Sequence, residues 1–111
     1  EAYSTADFAH GPVVLAQPRV PVLAIRPDGP MGGLVDETLL QTSARGGIPV
    51  VIGGHEAAGR VGALALPFDL PEALTPIVYV VPGQLLVEAT ARRRGISPDA
   101  PPGLGKVTRT R

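Results

Sequence analysis

Two short apolar runs with a helix-length segment between them constrain this chain more than any other feature. Val20-Pro21-Val22-Leu23-Ala24-Ile25 does not alternate polar with apolar residues, and neither does Ile48-Pro49-Val50-Val51-Ile52. Such runs suit strands buried on both faces, the pattern of parallel sheets. Pro21 is tolerable because a residue at the start of a strand need not donate to the ladder. The first run is followed by Arg26-Pro27-Asp28-Gly29-Pro30, a dense turn signal. Residues 31–45 then take the helical period. Met31, Leu34, Val35 and Leu39 make an apolar stripe, with Asp36, Glu37, Gln41 and Arg45 opposite. Gly46-Gly47 stops that helix and Gly53-Gly54 ends the second run. Strand, helix and strand with short connections form a βαβ unit, whose crossover is expected to be right-handed. Residues 61–67 read as a third, weaker strand. The expected class is α/β, a three-layer α-β-α sandwich on a mainly parallel sheet.

The flanks read differently. Residues 1–9 are helix formers and small residues that look like the end of a helix already under way, so the chain is expected to be a piece of a larger protein. Gly11-Pro12 stops this helix and leaves His10 at its end, facing a turn. Thr75-Pro76 reads as the N-cap and first position of a last helix. Residues 77–81 are apolar all round, which predicts burial, and Pro82-Gly83 predicts a kink. Leu85, Leu86 and Ala89 resume a stripe, and Arg92-Arg93-Arg94-Gly95 closes the helix. Three arginines at a helix C-terminus complement its dipole, a plainer reading than a basic recognition patch. Residues 96–111 hold three prolines and two glycines. They form an irregular tail that can lie across the carboxyl edge of the sheet.

Composition narrows the function classes. The 111 residues suffice for one small domain. A net charge of zero argues against an electrostatic nucleic-acid or anionic-membrane surface. The absence of cysteine removes disulfides, thiol nucleophiles and Cys-based zinc sites, and fits a cytoplasmic protein. No apolar run is expected to approach the roughly 18–20 residues that span a bilayer, and no signal-peptide pattern is present.

Nine of the ten basic residues are arginine, and the tenth is Lys106. Only lysine offers an amine that can deprotonate, form an imine or act as a movable point charge. Gly103-Leu104-Gly105 before it permits close approach to a ligand. His10 is the other candidate, since neutral imidazole passes protons in either direction near pH 7. Opening a cyclic sugar needs that: one proton onto the ring oxygen and one off the anomeric hydroxyl. The plain alternatives are a structural histidine and a solvated lysine. His55 and Glu56 follow the diglycine at a strand end, where α/β sheets bind ligands. Their spacing makes no dinucleotide fingerprint, and a loop or cap role is the expectation. Glu1 and Asp7 are the carboxylates nearest His10 but do not form a dyad with it. No metal cluster and no cofactor motif is present.

Three segments, in order, resemble one family. Residues 1–12, Glu-Ala-Tyr-Ser-Thr-Ala-Asp-Phe-Ala-His-Gly-Pro, are similar to a segment of the SIS (sugar isomerase) domains that handle amino-sugar phosphates. Thr75-Pro76-Ile77-Val78-Tyr79 with Pro82 and Gln84-Leu85-Leu86 resembles their last long helix. Arg94-Gly95-Ile96-Ser97-Pro98-Asp99-Ala100-Pro101, Leu104 and Lys106-Val107-Thr108 resemble their carboxyl tail. The resemblance implies that residues 1–111 are the C-terminal part of one phosphosugar-binding domain, with 96–111 as its active-site tail. It implies that His10 opens the sugar ring, often across a dimer interface. It also implies that Lys106, presented by Gly105, reaches the open-chain sugar. The family's phosphate loop and proton-shuttling glutamate lie outside this stretch. The implied partners are a sugar phosphate, the remaining N-terminal half of the domain and a second subunit, with no nucleic acid, membrane, metal or cofactor. Two groups compete: the isomerase domain of the glutamine-dependent synthase of glucosamine 6-phosphate, and the SIS-type glucosamine-6-phosphate deaminase. Val107 and Arg111 resemble the deaminase group more closely, so the resemblance implies conversion of glucosamine 6-phosphate to fructose 6-phosphate with release of ammonia, and the isomerase domain of the synthase is the alternative. Phe8-Ala9 differs from the longer polar pair common in the synthase, which bears on the local contacts of His10. A phosphosugar-sensing module without chemistry is the alternative outside enzymology.

Overall fold

The structure, a computed structural model, describes residues 1–67, 69–100 and 103. Two compact units divide the chain, Glu1–Val80 and Val81–Arg111.

The first unit is built on three parallel strands in the order β1 (Pro21–Arg26), β2 (Ile48–Gly53) and β3 (Ala63–Ala65). Their register aligns Ala24 with Val51 and Val51 with Ala63. The helix between β1 and β2 is α2 (Pro30–Ala44), so the strand–helix–strand unit and the parallel α/β class are as the sequence pattern predicts. Pro30 sits in the first turn of α2, where its missing N–H costs nothing. Its C-terminus is a Schellman motif: Gly46 has φ +84°, its N–H donates to the Ser43 carbonyl, and the Gly47 N–H donates to the Thr42 carbonyl.

The core lies between α2 and one face of the sheet, where Val35, Leu39, Val51 and Ala57 are buried with Ala24 and Ala63 packed against them. The buried face of α2 is Gly32, Val35, Leu39 and Thr42. Val35 and Leu39 belong to the predicted stripe; Met31 and Leu34 do not, at 51% and 47% exposure. The seam is shifted because α2 approaches β1 closely at Gly32. A Cβ there would lie 2.6 Å from the Pro27 carbonyl oxygen and 2.9 Å from the Arg26 guanidinium. Both-face burial of the apolar runs is likewise corrected. Leu23, Ile25 and Leu64 point away from α2 and remain 39%, 41% and 51% exposed, although Ile52 among them is buried. Nonalternating sequence shows that both faces accept cover, and within this unit α2 covers one.

The N-terminal segment is not a helix under way. Ser4 caps α1 (Thr5–Ala9): its Oγ accepts from the Asp7 N–H at 3.1 Å and donates to the Asp7 carboxylate at 2.6 Å. The Ser4 hydroxyl thus satisfies one of the first-turn N–H groups that the helix itself leaves without an acceptor. A 3-10 turn, Pro12–Leu15, follows and is anchored by buried Val13 and Ala16.

The last helix, α3 (Thr75–Arg93), is preceded by a 3-10 turn at Glu72–Leu74. Thr75 is not its N-cap. Thr75 already has helical dihedrals, and its hydroxyl donates back to the Glu72 carbonyl at 2.7 Å. The predicted burial of residues 77–81 also fails: Tyr79 is 1% exposed, but Ile77 is 70% and Val80 39% exposed. Pro82 lies inside the helix, which continues through Gly83. A stretch from Glu72 to Arg93 is therefore long and apolar enough to cross a membrane by length and composition: an 18-residue window within it has a mean hydropathy of 1.3, and 11% of that window is buried. The run-based expectation missed this because Pro82, Gly83 and Gln84 interrupt the apolar run without ending the helix. A helix apolar on most sides belongs either to a membrane or to the core of a larger α/β domain.

The second unit, described by itself, holds the end of α3 and the residues after it. Gly95, φ +70°, ends the helix as predicted, with the Ile96 N–H donating to the Ala91 carbonyl. Arg92 pairs with Glu88 one turn earlier. Residues 96–100 are irregular and exposed, as the proline content predicts.

Candidate functional site

Among the described residues, a dense group of charged side chains gathers at the carboxyl ends of β1 and β2. Arg26 is the last residue of β1 and is 4% exposed. Its guanidinium grips Asp36 with two bonds of 3.0 Å, from Nε and from one terminal nitrogen. It also donates to the Pro27 carbonyl at 3.0 Å and lies 2.7 Å from the Glu56 carboxylate and 3.6 Å from Asp28. Burying an arginine is tolerable only when its charge and donors are matched in this way. Arg60 reaches the same Asp36 at 2.5 and 3.2 Å and donates to the Glu56 carbonyl at 3.1 Å. The Arg26 bonds, then those of Arg60, hold the Asp36 carboxyl well below the usual carboxylate range, against a smaller opposing effect of burial. The Asp36 bond reciprocally raises Arg26, partly opposed by burial.

Asp28 joins the two strand ends. One oxygen accepts the His55 N–H at 2.7 Å and the other the Glu56 N–H at 3.1 Å. The diglycine exists to let this happen. A Cβ on Gly53 would lie 2.7 Å from the Arg26 carbonyl oxygen. One on Gly54 would lie 2.2 Å from Asp28 Oδ2 and 2.6 Å from the Tyr79 hydroxyl. Burial first, then the Asp28 and Asp69 charges, push the Tyr79 hydroxyl up. The imidazole of His55 is 57% exposed and lies 3.3 Å from the Asp69 carboxylate. Glu72 accepts the Met31 N–H at 2.9 Å in the first turn of α2. The expected loop role of His55 and Glu56 is thus what their backbones perform.

His10 is the C-cap of α1. Its N–H donates to the Ala6 carbonyl at 3.2 Å, and the residue is exposed. The backbone after it is held by buried Val13 and Ala16, so the imidazole stands on an anchored turn. The nearby carboxylates are otherwise engaged: Asp7 with Ser4, and Glu1 as acceptor of the Tyr3 hydroxyl. Gly105 and Lys106, the other predicted site residues, lie outside the described residues. Among the described residues no group of three potential ligands could hold a metal.

Sequence reasoning missed Arg26, Asp28, Asp36, Arg60 and Glu72 as a set. One signal was available: Arg26-Pro27-Asp28 places a charge pair between a strand's carboxyl end and a helix start, where backbone N–H groups need acceptors.

No family model matches the chain. It is 36% identical over 107 residues to a glutamine–fructose-6-phosphate aminotransferase (isomerizing) of Thermococcus kodakarensis, covering 96% of this chain and 18% of that protein. A protein of the same name from Sphingobium yanoikuyae is 37% identical over 112 residues, covering 96% of this chain and 70% of the relative. The chain therefore spans about a fifth of the length of the Thermococcus relative and most of the Sphingobium one. Among solved structures, the C-terminal domain of glucosamine-fructose-6-phosphate aminotransferase from Francisella tularensis matches with a TM-score of 0.72 and 27% identity, over 86% of this chain and 28% of that one. With a parallel α/β backbone in common and nearly all its residues aligned, this segment of SIS-domain fold belongs to the glutamine–fructose-6-phosphate aminotransferase (isomerizing) family.

Proposed function

We propose that the chain is the C-terminal part of a phosphosugar isomerase domain that interconverts aldose and ketose forms of a hexosamine 6-phosphate. The observation that carries this reading is the alignment of 96% of the chain with relatives named for an isomerizing amination of fructose 6-phosphate. In this reading His10 gives a proton to the ring oxygen and takes one from the anomeric hydroxyl. An exposed imidazole on an anchored turn suits a group that must reach a substrate held elsewhere, including one bound by a second subunit. Lys106, presented by Gly105, positions the open-chain sugar or faces its carbonyl as an amine.

The relatives' name favours the aminating direction. The deaminating direction, which releases ammonia, is the second reading, favoured by Val107 after Lys106 in the tail. The protein is proposed to be a cytoplasmic homodimer needing no metal or organic cofactor, with the rest of the domain supplying the phosphate loop and the proton-shuttling carboxylate. The zero net charge supports the absence of a nucleic-acid partner.

In the intact protein, His10→Asn should slow turnover of the cyclic hexosamine 6-phosphate by about a hundredfold while sparing a substrate locked in the open-chain form. Equal losses on both substrates remove the ring-opening role. Ammonia release set against glutamine-dependent amination decides the direction.

A further inference from the structure

An α/β sheet ordinarily receives its ligand at the carboxyl ends of its strands, and here that edge is occupied by the chain's own carboxylates. We propose that Asp28 is a resident anion. It fills the cradle formed by the His55 and Glu56 N–H groups, locks the connection between β2 and β3 to the end of β1, and closes this edge to a substrate phosphate. The inference deepens the proposed function by saying where the sugar phosphate is not received, and it rests on that reading only for the substrate.

Both Asp28 oxygens are engaged, at 2.7 Å by the His55 N–H and at 3.1 Å by the Glu56 N–H. The space is filled. A Cβ on Gly54 already falls 2.2 Å from Asp28 Oδ2 and 2.6 Å from the Tyr79 hydroxyl, so a tetrahedral phosphate has no volume there. The donor next to it, the Met31 N–H in the first turn of α2, is taken by Glu72 at 2.9 Å. The cations are taken as well: Arg26 by Asp36 and Glu56, Arg60 by Asp36. An incoming phosphate would meet Asp28, Glu56, Glu72 and Asp69 at an edge whose two arginines are already matched. Like charges at these distances disfavour its approach.

The test follows amide exchange of the 54–60 peptide in the intact protein, beside KM for hexosamine 6-phosphate. In Asp28→Ala the peptide should exchange about tenfold faster than in the wild type, as expected when a charge-assisted bond is lost. Added acetate, a carboxylate free to occupy the vacated amides, should restore much of the protection while leaving the wild type unchanged. Asp28→Asn, which keeps one acceptor oxygen and the side-chain shape, should fall between the two and guards against a variant that does not fold. KM should change less than about twofold in every variant that folds. Unchanged exchange in both variants would overturn the lock. A tenfold change in KM in either direction, with kcat retained, in Asp28→Asn would show that this edge takes part in substrate binding and would overturn its closure. If the wild type turns over no sugar phosphate, the functional reading fails, while the exchange arm still decides the lock.

Discussion

The His10 turn and the carboxyl edge of β1 and β2 are both places where a helix or strand ends beside a glycine and a titratable group, yet they are built in opposite ways. At His10 the backbone is pinned by Val13 and Ala16 while the side chain is exposed. At the edge the side chains themselves are pinned: Arg26 spends its donors on Asp36 and Pro27, and Asp28 spends its acceptors on two amides. A group saturated by its own chain contributes to stability; a group left open on a rigid support is available to a substrate. Substitutions at the turn should therefore change turnover, and substitutions at the edge should change folding. The His10→Asn effect on the cyclic substrate is the largest expected anywhere in the chain, and it should come with little change in melting temperature.

At the edge the largest effect belongs to Gly54→Ala. The added methyl would overlap Asp28 Oδ2 and crowd the Tyr79 hydroxyl, neither of which can withdraw without giving up the loop. Overpacking of this kind should cost about 3 kcal/mol or more, read as a lowered urea midpoint of the intact protein. A Gly54→Ala protein of unchanged stability would mean that the edge is loosely packed, and the contrast with the turn would collapse.

Asp36→Asn comes next. It removes the carboxylate that holds both Arg26 and Arg60, but Asp36 is itself 30% exposed, so solvent moderates the loss. About 2 kcal/mol at neutral pH is the expectation for a half-screened pair. The pH dependence sharpens the test. The arginines depress the folded-state pKa of Asp36. Its contribution is therefore fully present above the unfolded carboxylate pKa of about 4 and is lost as pH falls through the folded value below it. Unfolding free energy measured between neutral pH and about pH 2 should decline more steeply for the wild type than for Asp36→Asn. Parallel acid limbs would remove Asp36 as the anchor of the cluster.

These contrasts also show what was legible in the sequence. The βαβ unit could be read because apolar runs and a helical period are local signals, and the His10 turn because Gly11-Pro12 is one too. The edge network could not, because its partners are 10, 24, 28 and 41 residues apart in the chain. In a linear reading Asp36 belongs to a solvated helix face and Asp28 to a turn; only the parallel register brings β1's end beside β2's end and gives them common partners. Thr75 misled for a related reason. A threonine before a proline signals a cap, but the 3-10 turn at Glu72–Leu74 had already started the helix, and the hydroxyl turned back to the Glu72 carbonyl. Burial was overestimated wherever it depended on a covering layer, as at Leu23, Ile25 and Ile77. The diglycine was located correctly, but its purpose was visible only in three dimensions, where it makes room for an aspartate.

The smallest effect separates two adjacent glycines of α2 and tests how sharply the edge is bounded. Gly32 faces β1, where a Cβ would strike the Pro27 carbonyl oxygen and the Arg26 guanidinium; Gly33, one residue on, is exposed and has nothing within 4 Å of its Cβ position. Neither has a positive φ, so only space distinguishes them. Gly33→Ala should stabilise the protein by about 0.5–1 kcal/mol, because alanine loses less conformational entropy than glycine on entering a helix. Gly32→Ala should destabilise it by forcing α2 off the end of β1 and disturbing Arg26. Opposite signs in paired thermal melts confirm that the tight packing ends within a single residue. The same sign at both positions would mean that α2 shifts freely over the sheet, in which case the contacts of Arg26 are too soft to hold the edge closed.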